Sequence, residues 1–291
     1  MIGLVLCVGA VGALLAACGS SNDSSSSTGA SADSGSATTN EGSCVPKHPG
    51  LKTINSGTLT VASVSDLPYI EGEGEDISGI DGVILPALAK MECLKLNVEP
   101  MSGAATLPAV QTGRADIAAG GWYRTPERAE VVGQTVPIWY DFPVVATKEG
   151  KITKVDELED MTVGLIQGSA YVKPLEEALG SDHVKVYQSE VAVWQDIAAG
   201  RLEATVAGEA GSTYQNEQAA AGFVINPITP TPNFEIAKAP GEANYPYKKG
   251  DTELGEALSA DITALRKDGT VKKALVDNGL TNPRAFTGPN G

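Results

Sequence analysis

The chain has only two histidines, His48 and His183, and no Cys-x-x-Cys pair. A structural zinc site and a catalytic triad built on an imidazole base therefore both lack material, and no cofactor or metal is expected. Basic residues are scarce as well: 21 Lys and Arg stand against 36 Asp and Glu, for a formal net charge of -15. That balance argues against a nucleic-acid partner, since phosphate backbones are met by clustered Lys and Arg, and it favours solubility outside the cell. The apolar run at the start, residues 2–17, is too short for a membrane span, which needs about 20 residues.

That run is instead suited to a secretory signal, with small residues before a cut site at Leu15-Ala16-Ala17-Cys18. It departs from the usual pattern in having no Lys or Arg before Cys18. A Ser/Gly/Asp/Thr-rich stretch follows, too poor in apolar residues to offset ordering entropy, and reads as a flexible spacer. Leu-Ala-Ala-Cys resembles a bacterial lipobox, and the resemblance implies that Cys18 becomes a lipidated N-terminus holding the protein at the outer face of the cell membrane. Acyl chains contribute about 0.8 kcal/mol per buried CH2, so two or three retain a soluble domain where one would leak.

Cys7 would leave with the signal, so Cys44 and Cys93 are the cysteines of the folded part. In an oxidising compartment two such residues read as one disulfide, worth about 4 kcal/mol by loop-closure entropy; two free buried thiols are the alternative.

Residues 51–291 suffice for two cores. Strands are expected at residues 58–63, 94–98, 115–119, 161–166, 184–187 and 204–207. Helices are expected after Gly82 (with Pro86 in the first turn), over 107–112, over 170–179 and over 190–199. An extended run at 139–147 separates two such α/β series. Leu254, Leu258, Ile262 and Leu265 share one helical face and have no strands of their own to cover. Their helix is expected to return to the first lobe, so the chain crosses between lobes near Ala146-Thr147 and again near Ala243-Asn244. Two crossings make a hinge, and the space between the lobes is a usual place for a small ligand.

Several stretches carry a specific resemblance: Asp66-Leu67-Pro68-Tyr69, Gly79-Ile80-Asp81, Asp116-Ile117-Ala118-Ala119-Gly120-Gly121 with Thr125-Pro126-Glu127-Arg128, Val163-Gly164-Leu165-Ile166-Gln167-Gly168-Ser169, Ala199-Gly200-Arg201-Leu202-Glu203-Ala204, and Leu265-Arg266-Lys267-Asp268-Gly269-Thr270. In this order and spacing the chain resembles the family 3 extracellular solute-binding proteins, the polar-amino-acid-binding subunits of ABC importers. The resemblance implies an α/β fold of the two-lobe type II periplasmic-binding class with two hinge crossings. It implies a signal peptide at 1–17, a lipidated tether at 18–50, a first lobe at 51–146 and 244–291, and a second at 147–243. A monomer that delivers an amino acid or related small carboxylate or amine to permease subunits, and is not an enzyme, follows from the same resemblance.

The resemblance also places the site. Arg128 matches the arginine that forks onto a ligand carboxylate, a task suited to a planar, permanently charged guanidinium. Ser169 and Ala170 open a helix whose free N–H groups can receive an anion, although Ser169 serves equally as a plain cap. Tyr69, Trp122, Tyr123 and Tyr171 fall where the family edges or sandwiches the ligand, with Tyr123 expected in the cleft and Trp122 beneath the loop. Asp66 and Gly121 complete the first-lobe wall.

Two positions depart from the family: Gly121 stands where a hydroxyl is common, and Gly208 where a carboxylate usually pairs the α-ammonium, with Glu209 beside it as substitute. Two other functions are compatible with the fold: a dehydratase-like enzyme recruiting Glu203 or Glu209 as general acid, and the ligand-binding module of a sensor.

Overall fold

The computed structural model describes residues 44–289; the expectations for the signal and for Cys18 lie outside them. Two five-stranded sheets organise the chain. In the first, Lys95–Pro100, Thr58–Ser63 and Ile117–Ala119 run parallel. Pro246–Lys248 follows, antiparallel to Ile117–Ala119 and to the edge strand Val132–Gln134. The second sheet runs in the order Val184–Tyr187, Val163–Ile166, Ala204–Gly208, Pro143–Thr147, Val224–Pro227, with its first three strands parallel and Pro143–Thr147 antiparallel to both neighbours.

Short runs buried on both faces build the inner strands, and the helices between them bury one face each. In the first lobe Leu59, Val61 and Ile117 meet Ile84, Leu85 and Leu88 of the helix Ile80–Met91. Leu254, Leu258, Ile262 and Leu265 of the helix Thr252–Lys267 join the same core, so the C-terminal helices do return to the first lobe. In the second lobe Val163, Leu165 and Val206 pack with Leu175 and Phe234. Each fully buried Leu or Ile contributes about 1.5–3 kcal/mol toward holding its sheet.

The helix expected after Gly82 starts at Ile80, and Pro86 sits well inside it rather than in its first turn. Pro86 lies on the exposed side, so the backbone bond it cannot donate is lost where water competes. The first crossing also falls earlier than Ala146-Thr147. All five residues of Pro143–Thr147 are buried inside the second sheet. The hinge is instead Trp139–Asp141, paired antiparallel with the returning strand Gly241–Ala243.

The Cys44–Cys93 disulfide is present and ties Cys44 to the turn that follows the helix Ile80–Met91.

Candidate functional site

A cavity of about 380 Å3 opens between the two sheets, lined from both lobes. Its first-lobe wall is set by a turn. Gly120 and Gly121 adopt φ of +101° and +72°, a left-handed region that favours glycine. The Asp81 carboxylate accepts from the Gly120 N–H at 3.0 Å and from the Tyr245 hydroxyl at 2.7 Å, fixing that turn to the returning chain. Asn244, on the second crossing, donates through its backbone N–H and its amide to the Trp122 carbonyl, both at 2.9 Å.

The turn presents Trp122, Tyr123 and Arg128 together. Both aromatics line the cavity, contrary to the expectation that Trp122 would be buried away from it. The reason is the pair of positive-φ glycines, which breaks the alternation of a flat strand. Trp122 is still partly core, packed with Ala109, Val110 and Val132. Its buried Nε1 has no hydrogen-bond partner.

Thr125 caps the short helix Pro126–Val131 by accepting from the Arg128 N–H at 3.2 Å. The Arg128 guanidinium stacks on Trp122, 4.7 Å from the ring centroid. It donates to the Tyr123 carbonyl at 2.6 Å and, across the cleft, to the Gly168 carbonyl at 2.9 Å. Burial pushes its pKa down to about 10, so it stays charged at neutral pH. From the second lobe come Gln167, Gly168, Ser169, Ala170 and Tyr171. Ser169 Oγ accepts from the Tyr171 N–H at 3.2 Å, and the helix begins at Val172 rather than at Ala170.

The remaining wall is acidic. Asp66 is buried and receives a 3.5 Å contact from Gln215 Nε2. Beside it lies Glu190, which sequence reasoning missed: it opens the helix Glu190–Ala198 after the Ser189 cap, a position usually solvated. Here it is 6% exposed, it lines the cavity, and its Oε1 has no partner. Burial raises both carboxyls, Asp66 to about 7 and Glu190 well above the usual carboxylate range, the latter also through the Asp66 charge.

Tyr69 and Tyr123 meet at a second unforeseen residue. The hydroxyls of Tyr69 and Tyr123 donate to Asp141 Oδ2 at 3.1 and 2.9 Å, and the Ala210 N–H donates to Oδ1 at 3.2 Å. Asp141 is 1% exposed, and burial lifts its pKa to about 6. A Cβ on Gly208 would collide with this carboxylate and with the Tyr123 hydroxyl. The space that the family carboxylate would occupy is thus filled by Asp141 from the hinge strand.

Glu209 does not substitute at Gly208. It begins the helix Glu209–Gln218 and accepts from Asn282 Nδ2 at 2.8 Å, beside a separate small pocket. Gly121 lies under the Tyr69 ring, to which a Cβ would approach within 3.1 Å, and does not line the cavity. Asp66, Tyr69, Trp122, Tyr123, Arg128, Ser169, Ala170 and Tyr171 all do. The arrangement joins one forked cation to an acidic patch within a single aromatic-lined cavity, which suits a small ligand carrying charges of both signs.

The whole folded part has known relatives. The probable amino-acid-binding protein YxeM of Bacillus subtilis is 25% identical over 277 residues, covering 92% of this chain and 91% of that protein. The histidine-binding periplasmic protein of Escherichia coli is 26% identical over 208 residues, covering 64% and 74%. A solved ancestral arginine-binding protein bound to glutamine superposes with a TM-score of 0.67 at 25% identity, over 78% of this chain and 99% of its own. Residues 59–277 match the family model of bacterial extracellular solute-binding proteins, family 3, and the chain belongs to that family of transporter-linked solute-binding proteins.

Proposed function

We propose that this protein captures a basic or donor-rich amino acid for import, with the ligand carboxylate on Arg128 and its cationic end against Asp66 and Glu190. The observation that carries this reading is the buried Asp66–Glu190 carboxyl pair on the cavity wall, in which the two carboxyls face each other and Glu190 Oε1 receives no hydrogen bond from an N–H or O–H donor. A carboxylate held in that state is costly until a donor or cation reaches it. Tyr69, Trp122, Tyr123 and Tyr171 supply apolar faces for the ligand's aliphatic stem, and aromatic faces also favour a nearby cation. Arginine and histidine, the ligands in the names of two relatives above, fit both ends.

An α-ammonium would find Asp141 only by displacing a tyrosine hydroxyl, so Asp141 acts chiefly to hold Tyr69 and Tyr123. A ligand that spans Arg128 on the first lobe and Glu190 on the second completes its contacts only when the lobes are together, so binding favours the closed form. The closed monomer then docks on permease subunits, with lipidated Cys18 keeping it at the membrane.

The test is calorimetry on protein unfolded and refolded to strip carried-over ligand. Arginine, lysine or histidine should bind, agmatine, which lacks the carboxylate, should bind at least tenfold more weakly, and glutamate should not bind. Equal affinity for aliphatic or acidic amino acids would sink the acidic-end assignment. Chemical conversion of the bound ligand during incubation would favour the enzyme reading instead.

A further inference from the structure

On the outer side of the first lobe, away from the cavity, three side chains converge that the cleft does not use. His48 Nδ1 lies 2.7 Å from Glu92 Oε1 and 3.9 Å from Asp261 Oδ2. The His48 backbone N–H donates to Glu92 Oε2 at 3.1 Å, which fixes the carboxylate's orientation. Glu92 closes the helix Ile80–Met91, and Asp261 projects from the middle of the helix Thr252–Lys267. One donor atom from each of the three residues falls within 4.8 Å of the others.

The decisive feature is Asp261. Its side chain is 1% exposed, its carboxyl faces that of Glu92, and no N–H or O–H donor stands within hydrogen-bond distance of either of its oxygens. The nearest cation, Lys47 Nζ, stands 3.8 Å away and is itself half exposed. Two buried carboxylates side by side cost several kcal/mol per charge unless a cation or a shared proton lies between them, and a divalent cation neutralises both at once.

We propose that His48, Glu92 and Asp261 form a divalent-cation site, selective for Zn2+ or an ion of similar borderline softness. One imidazole nitrogen and two carboxylates are a familiar donor set for such an ion, with water completing the coordination. Tetrahedral coordination at about 2.1 Å spaces neighbouring donors by about 3.4 Å, between the two His48 separations above, so small side-chain adjustments close the site. The spacing of these residues in sequence gives no hint of it, because three separate segments supply one ligand each.

The site would clamp the segment carrying Lys47 and His48 onto the first lobe, next to the Cys44–Cys93 bond. A cation there fixes where the N-terminal region leaves the folded domain, and leaves the cleft unaltered.

Zn2+ titration of tag-free, EDTA-treated protein tests this, with Mn2+ and Ca2+ run in parallel. One Zn2+ per chain should bind and raise the melting temperature by mass action. Asp261→Asn, which keeps the shape and removes the charge, should weaken Zn2+ binding at least tenfold. As a measurement that needs no variant at this site, Zn2+ should shift the ring resonances of His48 and leave those of His183, identified through His183→Gln, in place. Absence of stoichiometric binding by any of the three ions would overturn the proposal. Unchanged binding in Asp261→Asn, or a shift confined to His183, would do so too. Stabilisation on acidification alone, with no cation response, would assign the pair a shared proton instead and equally overturn it.

Discussion

The Asp141 carboxylate stands where a side chain on Gly208 would project, so the two positions exclude each other: a carboxylate can come from the hinge strand or from the end of Ala204–Gly208, not from both. Gly208→Asp should therefore destabilise the protein by about 1–3 kcal/mol through overpacking, with a further penalty from a second buried charge. Combining it with Asp141→Ala should recover part of that loss. Urea unfolding of the single and double variants measures both, and a single variant as stable as wild type would show that the two groups do not compete.

Arg128 holds two carbonyls, one on each lobe, while it awaits a carboxylate. Arg128→Ala removes a charge-assisted, forked partner and should cut affinity for any carboxylate ligand by at least about 2 kcal/mol. Arg128→Lys keeps the charge without the fork and should recover only part of that affinity. Calorimetry against the best amino-acid ligand measures both variants. Unchanged affinity in Arg128→Ala would remove the carboxylate from this end of the cleft.

What was legible in the sequence is what periodicity or motif order encodes. The strands at 58–63 and 184–187 match their expected bounds, the first because its run is buried under helices and the second because Val-Lys-Val-Tyr alternates at a sheet edge, with glycine or turn residues before each. The first-lobe loop and the 169–171 segment were legible through the family motifs. The hairpin strands Glu71–Glu73 and Asp76–Ser78 were not, since polar, half-exposed residues give no alternation to read. The helix Glu209–Gln218 is too polar to show a face. Glu190 gave no signal at all, because glutamate just after a serine cap is ordinary surface chemistry. Asp141 did give one: an acid between Trp139-Tyr140 and Phe142-Pro143, in a run otherwise apolar or aromatic, requires partners inside the fold.

Burial raises Asp81 and Asp141 to about 6 and Asp66 to about 7, above the value each has in the unfolded chain. The folded state then binds more protons than the unfolded state between about pH 4 and 7, so these groups contribute stability that is fully present below that window and is lost as pH rises through it. Glu127, Glu157 and Asp268, which are exposed, and Asp196, which is half-buried beside the exposed Arg201, shift downward and act oppositely, but solvent screens them. The ligand-free protein should therefore melt at a higher temperature at pH 5 than at pH 7.5. A flat or inverted profile by calorimetric scanning would mean that these carboxyls are not desolvated as described.

The same titration should act on binding with the opposite sign. A cationic ligand end is held by the ionised forms of Asp66 and Glu190, so affinity for arginine or lysine, which stay charged throughout, should rise as pH climbs from 5 to 8, while the ligand-free protein loses stability over the lower part of that range. Glu190→Gln separates the two effects. The amide keeps the shape, removes the buried charge and should raise or preserve the melting temperature at pH 7.5. It should also lower affinity for the basic ligand at least tenfold and flatten its pH dependence. If Glu190→Gln bound the ligand as tightly as wild type across that range, the positive end of the ligand would lie elsewhere in the cavity, and the neutral hydroxyls of Tyr69 and Tyr123 would become the polar groups that recognise it.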